Sequence, residues 1–147
     1  MKKVFAAALL FFGLAFTTKA QETATPNIDP NAPELKFEQE TIDYGTIDYD
    51  ANTLREFKFK NTGKAPLIIN NVQVSCGCTN VDGWSKEPIA PGKISTFKVK
   101  YDSKRVGKFD KKITVTSNSK TPSTILTIKG EVKPAPIAPA TSTTTTK

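Results

Sequence analysis

The chain has 147 residues, two cysteines, 21 Lys+Arg against 14 Asp+Glu, a net charge of +7 and no histidine. That length supports one domain with a substantial core rather than two. Without histidine, the usual general base, the commonest metal ligand and every His-based triad are excluded, so chemistry would have to rest on other groups.

The N-terminus reads as an export signal. Lys2 and Lys3 precede an apolar run from Val4 to Phe16, and Thr18-Lys19-Ala20 offers small residues for cleavage after Ala20. The apolar run is too short to span a bilayer comfortably, and no later run is long enough to do so. A lipoprotein needs a cysteine at the cleavage point, whereas the cysteines here are Cys76 and Cys78. Loss of Lys2, Lys3 and Lys19 lowers Lys+Arg from 21 to 18 and the net charge from +7 to +4. The product is therefore expected to be periplasmic or extracellular and monomeric, with no transmembrane segment. Much of the basicity belongs to the signal, so nucleic acid is not an expected partner.

Residues 21–33 contain Pro26, Pro30 and Pro33 with few apolar residues, and read as a disordered leader. From 34 to 133 the pattern is short apolar alternation with turn residues between. Leu35 and Phe37 open a first strand that Ile42, Tyr44 and Ile47 continue past a break, with Gly45 as a bulge. Phe57 and Phe59 alternate with Glu56, Lys58 and Lys60 before the turn Asn61-Thr62-Gly63. Leu67 and Ile69 have the opposite parity to Val72, Val74 and Cys76, which requires a slip at Asn70-Asn71. After Thr79 an irregular segment runs through Gly83, Trp84 and Pro88 to the turn Pro91-Gly92-Lys93.

Phe97, Val99 and Tyr101 then alternate with lysines, as do Phe109, Ile113 and Val115 with polar residues, Lys111 being the exception on the inner face. Leu126, Ile128 and Val132 form the last strand, and residues 134–147 are a Pro/Thr-rich disordered tail. About seven short strands joined by turns predict an all-β, immunoglobulin-like antiparallel sandwich. Cysteines two apart cannot form the inter-sheet bridge of antibody domains, so Phe, Ile, Val and Leu must hold the core.

Tyr44-Gly45-Thr46-Ile47, Phe59-Lys60-Asn61-Thr62-Gly63, Leu67-Ile68-Ile69, Ser75-Cys76-Gly77-Cys78-Thr79 and Pro88-Ile89-Ala90-Pro91-Gly92 occur in that order. The series resembles a bacterial family of exported domains of unknown function, related to Hydin-type and major-sperm-protein-type immunoglobulin domains. The resemblance spans residues 34 to 133. It implies a sandwich fold and a binding or scaffolding role, and carries no substrate or active site with it.

Cys76 and Cys78 admit three readings. They are two small buried thiols, an intrachain disulfide across Gly77 suited to an oxidising compartment, or a thiolate pair for Cu(I) or redox chemistry. A disulfide needs a tight turn at Gly77, because residues two apart in a straight strand are too widely spaced. Asp48-Tyr49-Asp50-Ala51-Asn52 matches the start of a calcium loop, but Thr53 replaces the glycine and Phe59 the closing glutamate. An ordinary acidic turn is the expectation there. Trp84 either lids one end of the core or contacts a partner.

Residues 34–50 are mainly acidic and residues 93–112 mainly basic, although Lys98 and Lys100 are expected on the sheet opposite Lys112. Such a surface suits either a protein partner or an anionic envelope polymer. The expected function is a non-enzymatic exported binding or structural module of the cell envelope, with no catalytic residue, metal or cofactor. The alternative is a thiol-dependent redox or copper-handling protein that uses Cys76 and Cys78.

Overall fold

A computed structural model describes residues 29–136; the expected export signal, the expected leader to residue 28 and the expected tail from residue 137 lie outside the described residues. Strands β1 (Leu35–Phe37), β3 (Arg55–Asn61), β6 (Ile94–Tyr101) and β5 (Thr79–Asp82) form one sheet in the order β1-β3-β6-β5. Strands β2 (Thr41–Ile47), β8 (Ser123–Val132), β7 (Gly107–Ser117) and β4 (Ile69–Val74) form the other, in the order β2-β8-β7-β4. Every pairing is antiparallel except β2 with β8. Among the described residues there is no helix long and apolar enough to cross a membrane.

The two-residue period places one apolar face of each sheet inward. Phe57, Phe59, Phe97 and Val99 of the first sheet meet Ile113, Val115, Leu126 and Ile128 of the second, all essentially inaccessible to water. Phe37 joins the aromatic group with its ring 5.4 Å from Phe59, and Tyr101 stacks on Phe109 at 3.8 Å. The alternate positions on β3 and β6 (Glu56, Lys58, Lys60, Lys98, Lys100) face solvent.

Both expected slips are present. The β2–β8 register shifts between Asp43 and Thr46, where Gly45 has a φ of 61°, a conformation that costs glycine little. The β4–β7 register shifts between Ile69 and Asn71. Lys111, on the inner face, is half-buried opposite Ile128.

Three expectations are corrected. Leu35–Phe37 and Thr41–Ile47 do not form one strand: the chain crosses between sheets at Glu38-Gln39-Glu40, so that β1 pairs with β3 and β2 with β8. The segment after Thr79 begins with a strand, β5, bringing the order to β8 instead of about seven. A single apolar residue, Val81, gives that strand no period of its own, and ladder bonds to β6 hold it. Finally, the end of the leader is packed. Ala32 and Pro33 are buried, and a β-carbon at Gly63 would lie 2.5 Å from the Ala32 carbonyl oxygen.

Candidate functional site

The Cys-Gly-Cys segment forms the corner at which the chain leaves β4, at the edge of one sheet, and enters β5, at the edge of the other. The chain turns tightly here, the Thr79 N–H donating to the Cys76 carbonyl oxygen at 3.4 Å. That turn brings the Cys76 and Cys78 Cα atoms to 5.3 Å, and a disulfide joins their sulfurs. Cys78 is buried in the core edge and Cys76 is half-buried. Thr79 Oγ1 lies 3.9 Å from each sulfur. Closing so short a loop stabilises the fold by only about 1.6 kcal/mol on the chain-entropy relation, far less than the surrounding core.

The two ends of this corner are held independently of the sulfurs. The Ser75 N–H donates to the Lys112 carbonyl oxygen at 3.0 Å, and the Lys112 N–H to Ser75 Oγ at 3.2 Å. On the other side the Asp102 N–H donates to the Cys78 carbonyl oxygen at 2.9 Å.

Trp84 packs half-buried against the core, with its indole Nε1 buried and without a hydrogen-bond partner. Its packing against the core fits a lid, while the part of the residue that stays exposed remains open to contact. Asp48 and Asp50 lie in a turn, Asp48 paired with Lys133 at 3.0 Å and Asp50 with Lys104 at 3.8 Å. Phe59, the position a calcium loop would close with glutamate, is buried in β3. Among the described residues no three His, Cys, Asp or Glu side chains gather closely enough to hold a metal ion.

The outer face of β1-β3-β6-β5 gathers Lys36, Lys58, Lys60, Lys98 and Lys100 on adjacent strands. Lys58 pairs with Glu38 at 2.8 Å, and Lys98 stands between Glu56 and Asp82 in the ladder. Lys36 and Lys60 face each other directly, while Lys100 faces Asn80. Among the described residues these three lysines form no ion pair. Directly opposed like charges destabilise a sheet, so Lys36 and Lys60 are poorly explained by folding alone. The outer face of the second sheet differs: Lys129 pairs with Asp43 and Lys112 with Asp110, both at 3.4 Å. The Asp43 carboxyl is held below its ordinary pKa first by the Gly45 N–H and then by Lys129.

Sequence reasoning missed the polar groups at one end of the core. Tyr44 donates its hydroxyl to the Thr53 carbonyl oxygen at 2.8 Å, and Thr53 Oγ1 donates to the Tyr101 carbonyl oxygen. Burial pushes the Tyr44 phenol up to about 12, opposed by the Arg55 guanidinium 5.0 Å above its ring. The folded-state value thus exceeds the ordinary 10.0. Its stabilising contribution is fully present below the ordinary value and is lost as pH rises through the folded-state one. Denaturant midpoints measured upward from about pH 8 should fall more steeply for the native chain than for Tyr44→Phe beyond about pH 10. Parallel curves would show that Tyr44 does not couple ionisation to folding.

The paired sheets, their strand order and the strand switch from β1 to β2 define an immunoglobulin-like β-sandwich. Solved structures share this fold. A protein of unknown function from Porphyromonas gingivalis W83 matches with a TM-score of 0.59 and 17% identity, over 67% of this chain and 46% of that one. The ASH/PapD-like domain 7 of human CEP192 matches with a TM-score of 0.54 and 11% identity, over 81% of this chain and 99% of that domain. The secreted serine protease VesC from Vibrio cholerae matches with a TM-score of 0.52 and 16% identity, over 67% of this chain and 23% of that one. This chain thus spans less than half of the first and last of these proteins, and at such identities the likeness is one of fold. Residues 35–132 match the family described as "Protein of unknown function (DUF1573)", and the chain belongs to that family. The sequence matches no curated protein.

Proposed function

We propose that this chain is a non-enzymatic, exported binding module of the cell envelope, monomeric and released by cleavage after Ala20. Its expected resemblance to Hydin-type and major-sperm-protein-type domains accords with that role. The partner is an anionic envelope polymer that lies across the outer face of the β1-β3-β6-β5 sheet. The observation that carries this reading is the directly opposed, unneutralised pair Lys36 and Lys60, continued by Lys58, Lys98 and Lys100. Lysines two apart on one strand recur every ~6.8 Å, which suits a chain of regularly repeated negative charges. A repeating polyanion would relieve the repulsion and be held in proportion to the charges it meets.

The test is co-sedimentation of the full-length chain with insoluble polygalacturonate, a repeating carboxylate polymer, against neutral dextran beads. Binding to the polyanion is expected to weaken as ionic strength rises past about 0.15 M, where screening reaches ~8 Å. The double variant Lys36→Glu/Lys60→Glu should lose most of it. Lys108→Glu, on the opposite sheet, should leave it nearly unchanged. Equal effects from both variants, or equal binding to dextran, would refute this surface as the binding face.

A further inference from the structure

We propose that Cys76–Cys78 is a thiol–disulfide exchange site for a dithiol, with the Cys76 sulfur attacked and Cys78 the leaving group. This goes beyond the polymer-binding reading and does not depend on it. The bridge adds little to a corner that other bonds already hold. Ser75 is tied to Lys112 of β7, and Cys78 to Asp102 beyond β6, so the ends stay fixed to two different sheets when the sulfurs separate. The reduced chain therefore keeps its fold, with the two thiols still near each other. Such a pair exchanges electrons without unfolding.

The two sulfurs are not equivalent. Cys76 is half-buried and Cys78 buried, so an incoming thiolate reaches Cys76 first. A β-carbon added at Gly77 would meet nothing within 4 Å, which leaves the outside of the turn open. Beside it lies a shallow depression lined by Gly77, Asn80, Lys100, Tyr101 and Asp102. Lys100 brings a cation to that approach, while Asp102 is occupied by Arg105 at 3.3 Å.

One thiolate of the dithiol attacks Cys76 Sγ, forming a mixed disulfide as the Cys76–Cys78 bond breaks. Cys78 leaves with the electron pair and takes a proton from solvent, with the Thr79 hydroxyl placed to donate to it. The second thiolate of the dithiol then attacks its own sulfur in the mixed disulfide and releases Cys76. Two electrons pass to the chain, and the dithiol ends as a disulfide. In the reverse reaction the reduced pair returns two electrons to a partner disulfide, which becomes a dithiol as the Cys76–Cys78 bond re-forms. A monothiol is disfavoured, because the neighbouring Cys78 re-attacks the mixed disulfide and expels it.

The test treats the full-length chain with dithiothreitol under native conditions, traps thiols with iodoacetamide at intervals and reads masses and peptides. Reduction is expected to proceed at a rate proportional to reductant, with the circular dichroism of the folded sheets retained. A trapped mixed disulfide should carry the reductant on Cys76 and the alkyl group on Cys78. Brief alkylation of the fully reduced chain should fall first on the more exposed Cys76, and Cys78→Ser should react with an aromatic disulfide at least about tenfold faster than Cys76→Ser. Glutathione at equal thiol concentration should reduce less than about a tenth as much. A rate independent of dithiothreitol would mean that unfolding limits access, and would overturn the proposal. So would a mixed disulfide formed at Cys78, first alkylation of the fully reduced chain at Cys78, a faster reaction of Cys76→Ser, or equal reduction by glutathione. If a serine variant does not fold, the rate order and alkylation site in the native sequence decide alone.

Discussion

Replacing Phe57 or Phe97 by alanine is expected to destabilise the domain by about 3–5 kcal/mol each. Both rings are fully enclosed, at 0% and 1% exposure, and their centroids are 5.5 Å apart on neighbouring strands. Either truncation leaves a cavity that rigid neighbours on two sheets cannot close, because Phe37 packs edge-on against both rings. Lys58→Ala and Lys98→Ala, one residue further along the same strands, should each cost no more than about 0.5–1 kcal/mol, since both side chains are exposed and the Lys58–Glu38 pair is solvated. Urea unfolding with a common slope measures all of them. Comparable losses from the phenylalanine and lysine variants would show that the inward and outward faces are misassigned. The double phenylalanine variant should depart from additivity, as the rings share one cavity.

Asn61→Ala should be nearly as damaging, at about 3–4 kcal/mol, although the change is from a polar residue. Asn61 is wholly buried at the end of β3. Its Nδ2 donates to the carbonyl oxygens of Ala65 at 2.8 Å and Ile89 at 2.9 Å. Its Oδ1 accepts from the N–H groups of Gly63 at 3.0 Å and Glu34 at 3.4 Å. One side chain thereby fastens the entry to β1, the turn after β3 and the loop before β6. Alanine removes these bonds from the part-buried groups of Glu34, Gly63 and Ala65 and leaves the Ile89 carbonyl only its bond from the Leu67 N–H. Each buried group left unpaired costs about 1–3 kcal/mol. Asn61→Asp should be no better, because a carboxylate would face two carbonyl oxygens. Asn80→Ala, at an exposed position of β5, should stay within about 0.5 kcal/mol. An Asn61→Ala variant as stable as Asn80→Ala would rule out this anchoring role.

The sequence by itself determined the elements whose own residues carry a period. The alternation Phe57-Lys58-Phe59-Lys60 can bury only one face, so which side chains point inward was legible without any partner strand. The same parity revealed the slips at Gly45 and at Asn70-Asn71, while the expected immunoglobulin-like fold, not parity, placed Lys98 and Lys100 on the opposite sheet from Lys112. Tertiary structure alone decided which strand pairs with which. A short apolar alternation such as Leu35–Phe37 or Thr41–Ile47 satisfies either sheet equally well, and long-range ladder bonds assign the first to β3 and the second to β8. Strand β5 exists only because β6 offers it an edge. Asn61 looked like a turn residue because its burial comes from segments distant in the chain. The opposition of Lys36 to Lys60, and the bracing of the Cys76–Cys78 corner from two sheets, likewise depend on register. Register is a property of pairs of strands, and no single strand encodes it.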